Sequence, residues 1–590
     1  MMHAGASVFG VDHSILGQPW RWRAVPGAGA AIAQAHGLSD AVGLVMAGRG
    51  AAPETAARLL KPTLRDWLPD PSLFKDMDRA AERLVTAIRG GEAIVIFGDY
   101  DVDGATSTAL LWRLLRHVGA TVSFYIPDRM TEGYGPSVPA MRALAEAGAK
   151  VVVTVDCGTQ AFEALAAAAE AGLDVLVVDH HKAGWELPAC HALVNPNRLD
   201  DDAGPEFGHM AAVGVAFLLA IAVNRLLRDS GWYASGRDAP DLMTLLDLVA
   251  LGTVADVAPL TGINRAFVAQ GLKVMARRDN LGLATLGDVA RMERAPEAGD
   301  LGFQLGPRIN AGGRVGRSDL GTRLLISSDP LEARTLAEEL DRLNGERKAL
   351  EALTTEQALA VAPAADPVVV AVGEGWHPGV IGIVAGRLKE RFGRPAVVIA
   401  TEGGIGKGSG RSVPGVDLGA AVLAAKDEGL LVAGGGHAMA AGLTIAADRV
   451  EALRDFLSTR LGEAVARAAD GRALKLDAAL APGGVTAQLG EELAAAGPYG
   501  QGWPAPKLAV GPVSVVKCDV VGQDHVRLIL AGRDGARIKA MAFRHADTPL
   551  GQAFAGAGRR PLYVAGRLVI DSWSGEPRPE LHLDDAAWAD

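Results

Sequence analysis

Short, wholly apolar segments alternate with amphipathic segments between residues 93 and 178. The apolar segments predict strands, and the amphipathic segments predict the helices between them. The expected strands are Ala93–Phe97, Thr121–Ile126, Val151–Val155 and Val175–Val178. This alternation is typical of a parallel sheet with helices on both faces. Ligands of such sheets bind beyond the carboxyl ends of the strands.

The pattern changes three times after this region. Residues 200–260 read as helical, and a long charged helix is expected over Pro330–Val361, where the charge is typical of a solvated face. A second α/β unit begins at Pro367 and carries two glycine-rich loops, at Gly403–Gly410 and Gly434–His437. Short β segments after residue 470 predict a small barrel.

We therefore expect several domains, as the length of 590 residues also suggests. The expected units are a helical lead-in (1–75), a parallel-sheet domain (76–265), a helical connector (266–361), a smaller α/β domain (362–470) and a barrel (471–590). A net charge of −11 means that any nucleic-acid contact must be a local basic groove. The three cysteines are odd in number and lack C-x-x-C spacing, which argues against disulfides and zinc. The sequence lacks a secretory leader and a membrane-spanning segment, so a cytoplasmic location is expected.

Acids and histidines follow three of the predicted strands. These segments are Asp99-Tyr100-Asp101-Val102-Asp103, Asp156-Cys157-Gly158 and Asp179-His180-His181, and a further acid, Asp256, lies in a helical region. Carboxylates at the ends of buried strands are costly unless their charge is offset. A lone D-x-D is usually a turn or a cap, but its combination with the two other strand ends favours a pair of divalent cations and phosphoester hydrolysis.

The residue types suggest how such a site is built. In an extended segment, Asp101 and Asp103 would point the same way and could hold neighbouring cations. With Asp156, His180 and Asp256 they form a mixed oxygen and nitrogen set that suits Mn²⁺ or Mg²⁺. Asp156 is expected to bridge the cations, and His181 is expected to face the substrate near the leaving oxygen. Asp99 is either a ligand or a supporting residue behind the ligands, and Asp179 is expected in the supporting role.

In this order, the motifs resemble those of the DHH phosphoesterase superfamily. The segments Pro307–Arg314, Gly406–Ser412 and Gly434–Gly442 are similar to the RecJ branch of that superfamily. The resemblance covers roughly residues 50–590. It implies an α/β multidomain fold with a parallel-sheet DHH catalytic domain, a long connecting helix, a smaller α/β DHHA1 domain and a C-terminal OB-like β-barrel.

The resemblance also implies a function. The family degrades single-stranded DNA from the 5′ end to 5′-mononucleotides in recombination and repair, with two divalent cations. The implied partners are single-stranded DNA, a single-strand-binding protein and a RecQ-type helicase, and a monomer without membrane contact is expected. One alternative is a phosphodiesterase of short oligonucleotides or cyclic dinucleotides, or a pyrophosphatase, although such relatives are shorter and lack the barrel. Another is a non-enzymatic single-strand-binding scaffold, against which the intact carboxylates argue.

Site residues follow from the resemblance residue by residue. Asp101, Asp103, Asp156, His180 and Asp256 would bind the cations, with His181, Asp156 and Asp103 catalytic. The substrate would contact Arg308, Asn310, Arg314, Ser409, Arg411 and His437, and Arg314 and Ser409 would read a 5′-phosphate. Guanidinium groups bind phosphate through two hydrogen bonds, and glycine-rich loops expose N–H groups to anions. A surface ion pair is the alternative for any single arginine.

Two positions depart from the family pattern. Superfamily pyrophosphatases carry a histidine at the position of Phe97, so the first metal site is either weaker here or completed by Asp99. Trp503 stands where asparagine is expected, which predicts an altered turn or contact outside the metal centre.

Overall fold

Five parallel strands form the first sheet of this computed structural model, which describes residues 5–129, 131–362, 365–571 and 577–589. Their spatial order is Thr121–Tyr125, Ala93–Gly98, Val151–Val155, Asp174–Val178 and Ala192–Val194. The central strand is buried along its whole length, because helices cover both faces. The four predicted strands are confirmed. The fifth was not predicted, since three residues are too few to show a pattern.

Helices surround this sheet and continue into the connector. They are Met77–Gly90, Val102–His117, Val138–Glu146, Phe162–Glu170, Gly204–Phe207, Ala212–Asp229, Leu246–Ala255, Gly262–Met275, Leu281–Val289, Ala298–Asp300, Gly306–Val315 and Leu320–Ile326, with a π-helical turn at Leu301–Leu305. Among the described residues, no helix combines the length and the apolar character needed to cross a membrane.

The long connecting helix spans Pro330–Val361 and begins at an Asp329 side chain that accepts two backbone N–H groups. It is more than a solvated spacer. Leu336, Leu340 and Leu343 are buried in the core that the helix shares with the first domain. The other face does carry the expected charges.

The second sheet has the order Ala433–His437, Ala440–Ala446, Ile405–Arg411, Ala396–Glu402 and Val369–Glu374. Only its last two strands are parallel to each other. The helices Pro378–Phe392 and Leu418–Asp427 pack on it, and the helix Val450–Asp470 shares its apolar core. The two glycine-rich segments are mostly strands rather than the expected loops. Glycine is needed for close packing: a Cβ at Gly408 would lie 2.6 Å from Leu443 Cδ1.

The C-terminal barrel confirms the predicted β-rich domain. Its strands are Ala478–Leu480, Leu508–Val521, His525–Gly532, Arg537–Ala542, Leu562–Asp571 and Arg578–Trp588. Pairing of the long Leu508–Val521 strand with both His525–Gly532 and Leu562–Asp571 closes the barrel. The helices Ala487–Ala495 and Pro549–Gly556 accompany the barrel.

The N-terminal segment differs from the expected helical lead-in. A strand, Trp20–Trp22, comes first and pairs in parallel with Leu474–Leu476. The helices Pro26–His36, Asp40–Ala47, Pro53–Leu60 and Leu64–Trp67 follow it. Trp20 is buried, and its indole N–H donates to the Asp585 carboxylate at 3.0 Å. The segment therefore fastens the barrel to the rest of the chain.

Trp503 lies in the connection that leads into the barrel. Its ring is buried, and the Arg265 guanidinium lies 4.0 Å from the ring centre. Arg265 donates hydrogen bonds to the carbonyl oxygens of Ala496, Gly497 and Pro498. Trp503 thus covers a buried arginine where the barrel connection meets the first domain.

Candidate metal centre and nucleic-acid interface

The first acidic segment is the N-terminus of a helix, and the extended geometry expected for Asp101 and Asp103 is wrong. The Asp101 carboxylate caps the Val102–His117 helix by accepting the N–H groups of Asp103 and Gly104 at 2.9 and 3.1 Å. Asp103 lies in the first helical turn and is buried. Its carboxylate accepts the N–H groups of Ala212 and Val213 at 2.7 and 2.9 Å.

Asp156 follows the central strand directly and is buried. Its φ of 61° lies in the left-handed region, which aspartate tolerates better than most residues. One carboxylate oxygen lies 3.3 Å from His180 Nε2. The strand end therefore turns this acid toward the histidine of the next strand.

His180 has its two ring nitrogens in different environments. Nδ1 lies 3.0 Å from the Met210 carbonyl oxygen, which can only accept, so Nδ1 carries the hydrogen. Nε2 keeps its lone pair and faces the carboxylates of Asp156 and Asp103. Burial lowers the pKa of His180 and favours the neutral ring that a metal ligand needs.

His181 is held by Asp179 rather than by the acid cluster. Its Nδ1 lies 2.7 Å from an Asp179 oxygen. Burial opposes the charged ring, but the hydrogen bond and charge of Asp179 outweigh this effect and raise the pKa of His181 to about 9. The Tyr134 hydroxyl donates to the Asp156 carbonyl oxygen and lies 3.2 Å from the same ring nitrogen. His181 is therefore an oriented imidazole whose Nδ1 faces the Asp179 carboxylate.

Asp256 ends the Leu246–Ala255 helix beside His180, with an oxygen 3.9 Å from Nδ1. Burial, together with the charge of Asp101, raises the pKa of Asp256 to about 7. Burial and neighbouring aspartates likewise raise the pKa of Asp99, Asp103 and Asp156 well above the usual range. These like charges require cations if the acids are to stay ionised.

The donor atoms fit divalent cations. Three sets of side chains each place one ligand atom within 4.8 Å of the others: Asp103–His180–Asp256, Asp156–His180–His181 and Asp99–Asp101–Asp156. Asp156 and His180 each belong to two sets, and of the two only the carboxylate, with its two oxygens, can bind two cations at once. The buried Oδ1 of Asp99 has no hydrogen-bond partner, so this residue can serve as a ligand. Hard oxygen and imidazole donors suit Mn²⁺ or Mg²⁺.

A cavity of about 260 Å³ opens over the acids. Asp99, Asp101, Asp156, His181 and Asp256 form its acidic side, and Tyr100, Arg129, Tyr134, Asn310 and Arg314 complete it. Arg129 lies over the Tyr100 ring at 4.9 Å, and Arg314 donates to the Gly379 carbonyl oxygen. The cavity therefore has one acidic wall and one cationic wall.

A second cavity, of about 540 Å³, shares Arg129 and Arg314 with the first and continues into the second α/β domain. Lys407, Ser409 and Arg411 line it. Arg411 donates to Ser409 Oγ and to the Gly410 carbonyl oxygen. Burial and the neighbouring arginines lower the pKa of Arg314 to about 10. Such a group of mutually repelling cations suits a polyanion.

Two of the predicted substrate residues lie elsewhere. Arg308 pairs with Asp341 of the long helix at 2.8 Å, so its guanidinium is already occupied. His437 is exposed on a hairpin of the second sheet. In the described part of the chain, neither residue lines the two cavities. The glycine-rich segment therefore contributes its backbone, not its histidine, to the cavity wall.

Arg129 and Tyr134 were missed from the sequence although both line the first cavity. The signal was available, because they follow the strand Thr121–Tyr125, and ligands gather beyond the carboxyl ends of parallel strands. Phe97, where a ligand was considered, is fully buried and stacks on Tyr125. It packs in the core rather than facing the acids.

Family models match three parts of the chain: the DHH family N-terminal domain over residues 93–253, the DHHA1 domain over 365–463 and the RecJ OB domain over 476–585. The single-stranded-DNA-specific exonuclease RecJ of Dickeya dadantii is 38% identical over 539 residues, covering 89% of this chain and 92% of that protein. The Escherichia coli protein of the same name is 36% identical and covers 90% and 93%.

A solved structure agrees with these relatives. The chain is similar to RecJ in complex with Mn²⁺ from Thermus thermophilus, with a TM-score of 0.78 and 31% identity. The match covers 96% of this chain and 79% of that one. By its sequence, its three matched domains and its fold, this chain belongs to the RecJ family.

Proposed function

We propose that this protein is an exonuclease specific for single-stranded DNA that hydrolyses phosphodiester bonds with Mn²⁺ or Mg²⁺. The observation that carries the proposal is the junction of the acid cluster with an arginine-lined cavity through Arg129 and Arg314. The names of the relatives support it. When bound, divalent cations supply Lewis acidity, which neutralises charge on phosphoryl oxygens and makes water a better nucleophile.

The acidic residues hold those cations in this proposal. The ligands are Asp101, Asp103, Asp156, His180 and Asp256, with Asp99 as a further carboxylate. Asp156 would bridge the cations, because it belongs to two of the three sets and a carboxylate has two oxygens to offer. Backbone N–H groups at two helix N-termini orient Asp101 and Asp103, so their rotamers are set before any cation binds.

His181 supplies the proton for the departing 3′ oxygen. Water adds to phosphorus through its oxygen and releases one proton to solvent, the bond between phosphorus and the 3′ oxygen breaks, and that oxygen takes the proton from His181. Asp179 keeps the ring charged and oriented. The neighbouring His180 is neutral and cannot take this role.

The second cavity binds a terminal 5′-phosphate, which gives 5′→3′ polarity and 5′-mononucleotide products. A terminal phosphate carries more charge than an internal phosphodiester, and Arg314, Ser409 and Arg411 offer cationic and hydroxyl donors for it. The Arg411→Met variant should lose most of the preference for 5′-phosphate over 5′-hydroxyl ends. Arg454→Met is the control, since Arg454 lies in the same domain but pairs with Glu451. Equal rates on both ends in the wild type would contradict this assignment.

The test of the function is degradation of long single-stranded DNA with Mn²⁺. The wild type should release mononucleotides and leave duplex DNA intact, and Asp103→Asn should be inactive. Asp200→Asn, which alters an exposed carboxylate paired with Arg198, should keep full activity. Hydrolysis of dinucleotides without degradation of long strands would instead favour the small phosphodiesterase. Binding without hydrolysis would favour the scaffold.

We also propose domain boundaries at residues 75, 265, 361 and 470, a monomeric state and action in the cytoplasm. The proposed partners are a single-strand-binding protein and a RecQ-type helicase. The family resemblance supports these points, and the DNA substrate supports the location. Size-exclusion chromatography with light scattering tests the monomer.

A further inference from the structure

Phe303 is 86% exposed, more than any other large apolar residue that the structure describes. It lies in the π-helical turn Leu301–Leu305, whose first and last residues are buried. Exposure of a phenyl ring forfeits the favourable transfer of its surface out of water. π turns are rare in proteins, and those that occur are often found at functional sites. Both features call for an explanation outside the core.

The π turn packs on the helical turn that carries Asp256. A Cβ at Gly302 would lie 3.4 Å from Val254 Cγ1, and one at Gly306 would lie 3.4 Å from the Ala255 side chain. Val254 and Ala255 directly precede the candidate metal ligand Asp256. The backbone on both sides of Phe303 therefore packs against the helical turn that leads to Asp256.

The helix after the π turn indicates the direction of this ring. Positions 303, 307, 310 and 314 are spaced by four, three and four residues, which places them along one helical face. Asn310 and Arg314 on that face line the metal cavity. The row therefore begins with an apolar ring and ends with a guanidinium. An apolar ring can contact the face of a nucleobase, and a guanidinium can bind a phosphate.

Val257 adds a second apolar side chain beside the same acid. It is 63% exposed, and its φ of 60° is unusual for a β-branched residue. Strained backbone persists where the surrounding structure holds it, and it clusters at functional sites. Two separate costs, exposure and strain, thus meet next to Asp256.

We infer that Phe303, together with the exposed Val257, stacks on a nucleobase of the bound single strand beside the scissile phosphate. The inference rests on the proposed function. The occupant is a base because the ring shares a helical face with Asn310 and Arg314, which line the metal cavity, and because every base has a face suited to an aromatic ring. The contact holds the strand in register with the acids independently of base identity.

The test compares single-stranded DNA with the same strand carrying one abasic residue, scanned through the first four positions from the 5′ end. The wild type should show, at one position, a KM about tenfold higher for the abasic strand, as expected for one lost stacking contact. Phe303→Ala should raise KM about tenfold on normal DNA and lose that discrimination, with kcat within about threefold of the wild type. Phe303→Trp should retain the discrimination.

Leu331→Ala is the matched control, since Leu331 is 77% exposed on the long helix and lies outside both cavities. Its KM and its discrimination should equal those of the wild type. Thermal unfolding with and without Mn²⁺ checks that Phe303→Ala keeps its fold and its metal centre. Unchanged discrimination in Phe303→Ala would overturn the stacking contact alone. A wild type inactive on every single strand would overturn the proposed function as well.

Discussion

Two groups of buried charges in this protein are built in opposite ways. At the metal centre, the basic side chains within 4.0 Å of the Asp103, Asp156 and Asp256 carboxylates are His180 and His181, and among the described residues no arginine or lysine pairs with these acids. Between the N-terminal segment and the barrel connection, the buried Asp477 is paired with both Arg23 and Arg49. One group repels itself, and the other is neutralised within the chain.

This difference distinguishes buried charges that bind a ligand from buried charges that stabilise the fold. Paired buried charges hold segments together, whereas like charges buried together imply a ligand of opposite sign. The arginines of the second cavity mirror the acids, because they too lie close together and their contacts are with neutral groups. The acids call for cations and the arginines for phosphates, and the two groups adjoin.

The largest effect is expected from Asp156→Asn. Activity on single-stranded DNA should fall by roughly a thousandfold or more, because cation binding supplies several kcal/mol to the reaction. The unfolding temperature without metal should stay equal or rise, since one repelling charge is gone and asparagine tolerates the left-handed φ. Stabilisation by added Mn²⁺ should shrink. If the variant kept activity within tenfold of the wild type, the assignment of Asp156 to cation binding would be contradicted.

Asp477→Asn should act on stability instead. Asp477 accepts hydrogen bonds from Arg23, Arg49 and the Lys507 N–H, so the change leaves two cations without their carboxylate. We expect a loss of about 3–5 kcal/mol in the free energy of unfolding. Urea unfolding measures it. Activity per folded molecule should stay within about twofold, and an unchanged urea midpoint would contradict the structural role.

Asp247 sharpens the comparison, since it is a buried acid outside the site. Its carboxylate accepts the Leu248 N–H, and burial raises its pKa to about 6, above an unfolded value of about 3.9. The folded protein therefore binds this proton more tightly than the unfolded chain does. The stabilisation that comes from this proton is present below pH 4 and is lost as the pH rises through 6.

Asp247→Asn imitates the protonated acid. It should raise the free energy of unfolding by roughly 2–3 kcal/mol at pH 7.5 and leave it unchanged at pH 4. Thermal unfolding of both proteins across this range measures the difference. The same gain at both pH values would rule out the charge as the cause.

The smallest effects are expected on DNA affinity, and they should differ between two arginines of one helix. Arg314→Met should weaken binding of single-stranded DNA in EDTA about tenfold, because its guanidinium faces both cavities. Arg308→Met should change it less than about twofold, since Arg308 pairs with Asp341. Affinities at two salt concentrations would show the difference. Equal losses would mean that pairing within the chain does not exclude DNA contact.

The parallel sheet and the acids at its edge could be predicted because both signals are local. A buried strand reads as an apolar segment, and the residue after it lies at the ligand-binding edge. The same reasoning placed Asp101 and Asp103 in an extended segment, although Asp101 begins a helix there. A capping aspartate and a metal-binding aspartate look alike in sequence.

The arginines were harder to predict for a different reason. Arg308 and Arg314 belong to one motif, yet only the tertiary structure brings Asp341 to the first and leaves the second facing both cavities. Arg129 follows a strand whose end carries none of the predicted metal ligands, so no acid motif marks its position in the sequence. Charge compensation depends on partners far away in the chain.

The sequence by itself determined four strands of the parallel sheet, the long connecting helix, the chemical types at the strand ends and the family. These depend on periodicity and on neighbouring residues, which local physics controls. The tertiary structure decided which charges are paired, which side chains share a donor set and which apolar ring stays in solvent. Those properties depend on distances between segments, such as those between Asp103 and Ala212 or between Val254 and Gly302, that only folding brings together.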